Sequence, residues 1–393
     1  MDILFIMDAN LSEYMKIYVS FFIFLITISF TVFAQEEEEI NVVGFRFLDY
    51  SKNLPEDILQ SKCAVLISTP PISKNSSERG DWKSLAREAH DYFIKIGIDP
   101  VAYFYLDDIY AGIDPSRKYI DHFVKREIKY IIVLSKVNLK IKNKEAIRYV
   151  IVITEFNKDR QVIANGQPAY KDQDKDMEDL MKKIYSITIR KDYVKTNNLI
   201  IDRPEFFGGI SIINGRRNAS FPTDLRVDKL AVPKFEEAPI PSNRPGGMIN
   251  NKIAEETEKY NASVERMNFE LDRSFQDYPW QFELVKYNPD EKELWRQGFL
   301  YIIMHVHTTG KTIKEMLDYE LNDIETGYIT LLKKPDGSFT LRTIPVDAPV
   351  YKFYIRSLSR NEIYIGESWD ADETWQDALN NFLNNLTEKL NAN

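Results

Sequence analysis

The chain has 393 residues, 51 Lys+Arg against 60 Asp+Glu, 44% apolar residues and a single cysteine. That composition excludes wholesale disorder, a collagen-like repeat and a disulfide scaffold, and the length suits one large or two to three ordinary domains. A net charge of −9 argues against a general nucleic-acid binder, whose affinity rests on many Lys/Arg contacts to phosphate, and the basic stretch Lys136 to Lys144 reads as a solvated strand edge.

In chain order, Met15-Lys16 is followed by an apolar or hydroxylic run from Ile17 to Phe33 and then by Val32-Phe33-Ala34, with small or β-branched residues where a signal peptidase reads. This is the order of an export signal, so residues 1–34 are expected to be a signal peptide cleaved between Ala34 and Gln35, with Met15 as the true start. The competing reading is an uncleaved anchor at the lower limit of spanning length. With that signal removed, no membrane span is expected, and the destination is periplasmic or secreted. Cys63 lies in the strand-like run Cys63 to Ser68 and reads as a buried, inert thiol.

Residues 35–203 read as a first α/β domain. Ala64 to Ser68 is a strand, and Trp82 to Ile96 a helix with Leu85, Ala89, Tyr92, Phe93 and Ile96 on one face. Val101 to Leu106 is a strand, Ser116 to Ile128 a helix, and Tyr130 to Ser135 a strand buried on both faces. Tyr149 to Phe156 and Gln161 to Ala164 are expected to pair around Asn157-Lys158-Asp159, and a helix from Met177 to Ile189 closes the unit. Residues 204–249, with Pro222, Pro233, Pro239 and Pro241 before Gly246-Gly247, read as a linker or an extended crossover.

Residues 250–393 repeat much of that order: helix Asn251 to Phe275, strand Trp280 to Lys286, helix Asp290 to Gln297, strand Leu300 to Val306. An insertion over 308–343 carries a helix from Thr312 to Tyr319 and a hairpin around Pro335-Asp336-Gly337. Strands Val350 to Leu358 and Glu362 to Glu367 and a helix from Thr374 to Leu390 follow. Tyr130-Ile131-Ile132-Val133 lines up with Tyr301-Ile302-Ile303-Met304. The fold class expected is α/β: two related small units, each a mostly parallel sheet with an antiparallel hairpin, descended from an internal duplication.

Several residues point to chemistry. His305 and His307 alternate on one strand face, the way a strand presents two metal ligands, but the only other histidines, His90 and His122, lie in the first half. Leu134 and Lys136 occupy the matching places there. Gly310-Lys311-Thr312 opens a helix after a strand, yet His305 stands where the first glycine of a phosphate loop belongs, so Thr308 or Thr309 is expected as a plain helix cap. Asp172, Asp174 and Asp176 begin with calcium-loop spacing but lack the glycine and the closing Glu, and Asp370, Asp372 and Glu373 are their acidic counterparts before the last helix. Asp107-Asp108 follow a strand where open α/β sheets bind ligands.

In element order alone the arrangement resembles the small α/β units of Gram-negative envelope proteins, and no residue is transferred from that likeness. The expectation is a non-enzymatic exported envelope protein that binds other envelope proteins in an assembly or scaffold role, with no catalytic residue and no cofactor. The sequence leaves its oligomeric state open. Two alternatives stand beside it: a metal-dependent hydrolase using His305 and His307, and a carbohydrate binder using Trp369 and Trp375.

Overall fold

A computed structural model describes residues 48–73, 76–141, 144–158, 162–164, 166–197, 199–238, 248–287, 290–322, 324–333 and 338–392. The expected signal segment 1–34 with its Ala34/Gln35 cleavage site, and the turn Pro335-Asp336-Gly337, lie outside the described residues. The chain divides into two compact units, Met1–Ile210 and Ser211–Asn393. Among the described residues there are eight α-helices, two six-stranded sheets and one two-stranded sheet, and no helix is long and apolar enough to cross a membrane.

The first unit runs β1 (Asp49–Ser51), β2 (Lys62–Ser68), α1 (Trp82–Ile96), β3 (Asp99–Tyr105), α2 (Leu106–Ile109), α3 (Ile113–Lys125), β4 (Tyr130–Ile141), β5 (Lys144–Glu155), β6 (Pro168–Asp174) and α4 (Met177–Arg190). Its sheet has the order β1-β6-β5-β4-β2-β3, parallel at β1/β6, β4/β2 and β2/β3 and antiparallel at β4/β5 and β5/β6. Alternation along the strands sends Cys63, Val65, Ile67, Ile132, Leu134, Ile151 and Ile153 to one face, where Leu85, Ala89 and Phe93 of α1 and Leu180, Met181 and Ile184 of α4 bury them. The opposite face presents Phe104, which meets Tyr119 and Phe123 of α3 edge-on at 5.6 and 5.1 Å. Each fully buried Leu or Phe contributes roughly 1.5–3 kcal/mol of transfer free energy, so both faces are needed to hold the layers together. Helix α1 begins at Asp81, whose carboxylate accepts from the Ser84 N–H at 3.0 Å, and ends at Gly97 in the left-handed region with φ 99°.

The second unit runs β7 (Arg216–Asn218), β8 (Leu230–Pro233), α5 (Met248–Ser274), β9 (Phe282–Val285), α6 (Glu291–Arg296), β10 (Tyr301–Thr309), α7 (Gly310–Met316), β11 (Gly327–Lys333), β12 (Phe339–Pro345), β13 (Pro349–Ser357), β14 (Glu362–Tyr364) and α8 (Trp375–Ala392). Its large sheet has the order β7-β14-β13-β10-β8-β9. Position by position the pairings keep the directions of the first sheet: parallel at β7/β14, β10/β8 and β8/β9, antiparallel at β14/β13 and β13/β10. Tyr130 and Tyr301, aligned in the sequence, both open the strand that joins the parallel half to the antiparallel half.

Two expectations are corrected. The strand beside β5 is Pro168–Asp174, not Gln161 to Ala164; Val162 and Ile163 are buried, but in the connection that precedes β6. Apolar residues in a covered loop mimic a strand in the sequence. The stretch 204–249 is not simply a linker: Glu205 to Phe207 line the edge of β3, and β7 and β8 are strands of the second sheet. Two of its described prolines fall where no ladder N–H is required, Pro222 ahead of a 3₁₀ turn and Pro233 at the last position of β8.

Candidate functional site

In each unit the chain leaves β2 or β8 toward one face of the sheet and leaves β3 or β9 toward the other, since α1 and α5 lie on the opposite side from α3 and α6. Phe275, just past the end of α5, stacks on Phe282 at 4.9 Å on one face, while α6 pairs Glu291 with Arg356 at 2.8 Å on the other. Such a divergence opens a crevice at the C-terminal ends of the strands. The two crevices are filled differently.

In the first unit the crevice holds Arg79, from the loop after β2. Its guanidinium donates to both oxygens of Asp108 at 3.0 and 2.7 Å and lies 3.7 Å from the centroid of the Tyr105 ring. Asp108 is buried, so the bidentate pair is a desolvated one. Asp107 stands beside it without such a partner, and burial pushes its carboxyl up to about 6, with Arg79 pulling it down and Asp108 adding to the rise. Of the expected Asp107-Asp108 site, one carboxylate therefore ties the loop after β2 to α2, and the other is a carboxyl held above its ordinary range by burial.

In the second unit His305 and His307 lie past the end of the β8 ladder on β10. The His307 ring stacks on Tyr351 at 3.7 Å with 6° between planes, and the His305 ring lies 5.5 Å from Phe353 and 6.3 Å from Phe235. Phe235 in turn meets Trp375, the first residue of α8, at 5.3 Å. Burial lowers His305 to about 4; burial and the neighbouring His305 lower His307 to about 3. Both rings are uncharged at neutral pH. Both keep part of their surface open, while their strand partners Tyr351 and Phe353 are buried. His307 Nδ1 and Trp375 Nε1 are buried without a hydrogen-bond partner. Among the described residues no group of three or more His, Cys, Asp or Glu could hold a metal ion.

Phe235 is positioned by its backbone. Asn268 of α5 accepts from the Phe235 N–H at 2.8 Å and donates to its carbonyl at 3.0 Å, and Asn261, two turns earlier, does the same for Ala238 at 2.9 and 3.0 Å. The chain after β8 is thereby strapped along the helix.

The remaining candidates have structural roles. Thr309 caps α7, its hydroxyl accepting from Thr312 N–H at 3.3 Å, and a Cβ on Gly310 would fall 2.3 Å from the Tyr328 ring, so that glycine serves packing. Asp172 pairs with Lys52, Asp174 with Lys183, and Asp176 caps α4. Cys63 is fully buried with its thiol pushed up by burial. His90 is satisfied on both nitrogens, by Tyr103 Oη and the Ile201 carbonyl, each at 2.9 Å. His122 lies among Phe104, Phe123 and Phe207, its pKa lowered by burial. Trp375 is 1% exposed, and Trp369 packs on Tyr319 and Tyr328 at 5.5 and 4.8 Å.

Asp370 and Asp372 do more than favour a helix N-terminus. Asp370 pairs with the fully buried Lys352 at 2.5 Å and accepts from Asn385 at 3.0 Å, while Lys352 also donates to the Ile365 carbonyl at 2.9 Å. Burial alone would lower Lys352; the Asp370 charge and hydrogen bond outweigh it and hold the lysine above its ordinary range. Asp372 pairs with Arg342 of β12 and accepts from Thr330 of β11 at 3.3 Å. The two carboxylates thus tie the β11–β12 insertion, β13 and α8 together. Sequence reasoning missed this because Lys352 is a single cation in the otherwise apolar run Val350 to Ile355, and nothing local shows whether it meets water or a distant carboxylate.

The insertion hairpin has two unlike faces. Tyr328, Thr330 and Ile344 are buried beneath it, whereas Ile329 and Leu341, on the alternate face, are 63% and 69% exposed. In comparisons with known proteins, no family model matches the chain, and neither a curated protein nor a solved structure matches it.

Proposed function

We propose that this chain is an exported envelope protein that acts by binding other proteins, in an assembly or scaffold role, through the β11–β12 hairpin. The observation that carries the reading is the hairpin itself. Leaving Ile329 and Leu341 in water forgoes roughly 1.5–3 kcal/mol for each side chain, while the opposite face is fixed by Arg342–Asp372 and Thr330–Asp372. A braced strand pair with an apolar outer face is a preorganised contact surface, and preorganisation lowers the entropy lost on association. The shared strand order of the two sheets fits a duplication in which only the second copy acquired the insertion.

A photoreactive residue placed at 329, with one at the exposed α1 position Glu88 as control, tests the reading in cells that export the protein. Discrete protein adducts are expected from position 329 and not from 88. Equal adducts from both, or none from 329 and 341, would remove the hairpin as the contact surface. Intact mass of the exported chain tests the cleavage after Ala34.

A further inference from the structure

We propose that the crevice at the C-terminal end of the second sheet, walled by Phe235, His305, His307, Tyr351 and Phe353 and carrying the Trp375 indole N–H, binds an uncharged planar aromatic molecule with a carbonyl-type acceptor. The site is independent of the hairpin and does not rest on the binding role proposed above.

Three observations lead there. The first is place: β10 extends beyond its ladder with β8, and the chain leaves β8 and β9 toward opposite faces, which is where open α/β sheets take ligands. The second is unmet hydrogen bonding. Trp375 is 1% exposed and its Nε1 has no partner, and His307 Nδ1 is likewise buried without one. Buried donors left unpaired cost free energy, and native structures keep few of them. The first unit shows that the fold does not demand them: Leu134 and Lys136 stand at the places of His305 and His307 in the strand register, and α4 opens with Met177 where α8 opens with Trp375. The third is the chemistry of the walls. They are rings, which favour a flat unsaturated guest by stacking and edge contacts, and the His307–Tyr351 stack holds two of them parallel. Both imidazoles are neutral at pH 7, so these two rings offer no charge to an anion, and the nearby Arg342 is already paired with Asp372. Among the described residues no third metal-binding side chain joins them, so a metal ion is disfavoured as well. A guest with one acceptor would take the indole N–H, and His307 Nδ1 would meet a second polar atom of the guest or its bound water.

The test titrates the full-length protein with acetophenone and follows the indole N–H resonances of its five tryptophans, with Trp375 assigned through Trp375→Phe. The expected result is a saturable shift of the Trp375 signal, no such shift with benzoate, and affinity weakened about fivefold or more in His307→Leu. Should Trp375→Phe fail to fold, His305→Leu and His307→Leu carry the test through the imidazole resonances, since leucine already occupies the His305 place in the first unit. No saturable shift up to the solubility limit, an equal response to benzoate, or binding unchanged in the His307 variant would overturn the proposal.

Discussion

At the C-terminal ends of the first sheet the crevice is closed by a charge: Arg79, clamped on Asp108 and laid against Tyr105. At the same place in the second sheet the described residues are rings, with Phe235 held by Asn268 and two neutral imidazoles beside it. The contrast reverses one row further out. At Lys352 of β13 the second unit buries a cation against Asp370, where the corresponding β5 residue of the first is the buried, uncharged Val150, registered between Ser135 and Gln173. One strand order therefore tolerates either solution at either place. What each unit buries is decided by what it must hold: a loop in the first, an inserted hairpin in the second.

Removing one member of the Lys352–Asp370 pair is expected to have the largest effect. Lys352→Met leaves a buried carboxylate without its cation, served by Asn385 and a backbone N–H, and breaking such a pair costs about 3–5 kcal/mol. The double change Lys352→Val with Asp370→Leu replaces the pair by apolar side chains, with valine as at Val150 of the first unit, and should recover most of that loss. Chemical denaturation of the single and double variants decides it. A double variant no more stable than the single would mean that the pair also orients α8 and the hairpin in a way apolar packing cannot replace.

The two crevices should respond oppositely to acid. His305 and His307 lie at about 4 and about 3 in the folded chain against an ordinary 6.5, so the unfolded chain takes up protons first as pH falls. Their contribution is present above 6.5 and is lost as pH falls from 6.5 to about 4 for His305 and to about 3 for His307, at up to about 1.4 kcal/mol per pH unit for each ring. Asp107 is raised to about 6 from 3.8, so its contribution is fully present below 3.8 and is lost as pH rises through 6. Between pH 7 and pH 5, exchange protection of the β10 amides is expected to fall more in the wild type than in His305→Leu/His307→Leu. Over the same range Asp107→Asn should remove a gain in protection from β4. Parallel behaviour of variants and wild type would mean that the crevices are wetter than their burial implies.

Much of this architecture was legible in the sequence, because strands such as Tyr130–Ile141 and Tyr301–Thr309 and helices such as Trp82–Ile96 bury whole periodic faces. The elements that escaped are short or exposed to competing signals. β8 is four residues ending in proline, and β7 is Arg-Arg-Asn, which no pattern marks as a strand. At the candidate site His305 and His307 were visible as a pair, but their environment was not, since Phe235 reaches His305 from 70 residues earlier in sequence and itself packs on Trp375, 70 residues later. The Lys352 and Arg342 pairings were illegible for a similar reason: a lone cation in a strand looks the same whether it meets water or a distant carboxylate.

A smaller effect is expected at the strap. Asn268→Ala leaves the Phe235 N–H and carbonyl without their side-chain partner, at a cost of about 1–3 kcal/mol, and frees the ring that lines the crevice. Asn261→Ala removes equivalent bonds at Ala238, farther from the crevice, and serves as the control. If the two lose equal stability while only Asn268→Ala shifts the His305 resonances, the strap positions the site. Identical spectra would reduce it to a fastening.

The smallest effect lies at the sheet edges. In the first unit Glu205 and Phe207 close β3: the Tyr103 N–H donates to the Glu205 carbonyl at 2.9 Å, and the Tyr103 carbonyl accepts from Phe207 at 3.1 Å. Arg126 supports them with a bidentate pair to Glu205 and a cation–π contact 4.7 Å from the Phe207 ring. In the second unit the β9 backbone reaches β8 through Gln281 and Val285, so by alternation Leu284 faces the outer edge, where no described residue pairs with it. The Tyr103 amide should therefore exchange slowly and the Leu284 amide near the rate of an exposed one. The Arg126–Glu205 pair is partly solvated, at 27% and 40% side-chain exposure, so Arg126→Ala should cost under about 1 kcal/mol and speed Tyr103 exchange several-fold at most. The backbone bonds and the Phe207–Phe104 stack at 5.3 Å remain in that variant, and they are what close the edge. Exchange at Tyr103 rising to the Leu284 rate would show instead that the ion pair holds the segment in place, and that the two edges differ by one side chain rather than by a strand.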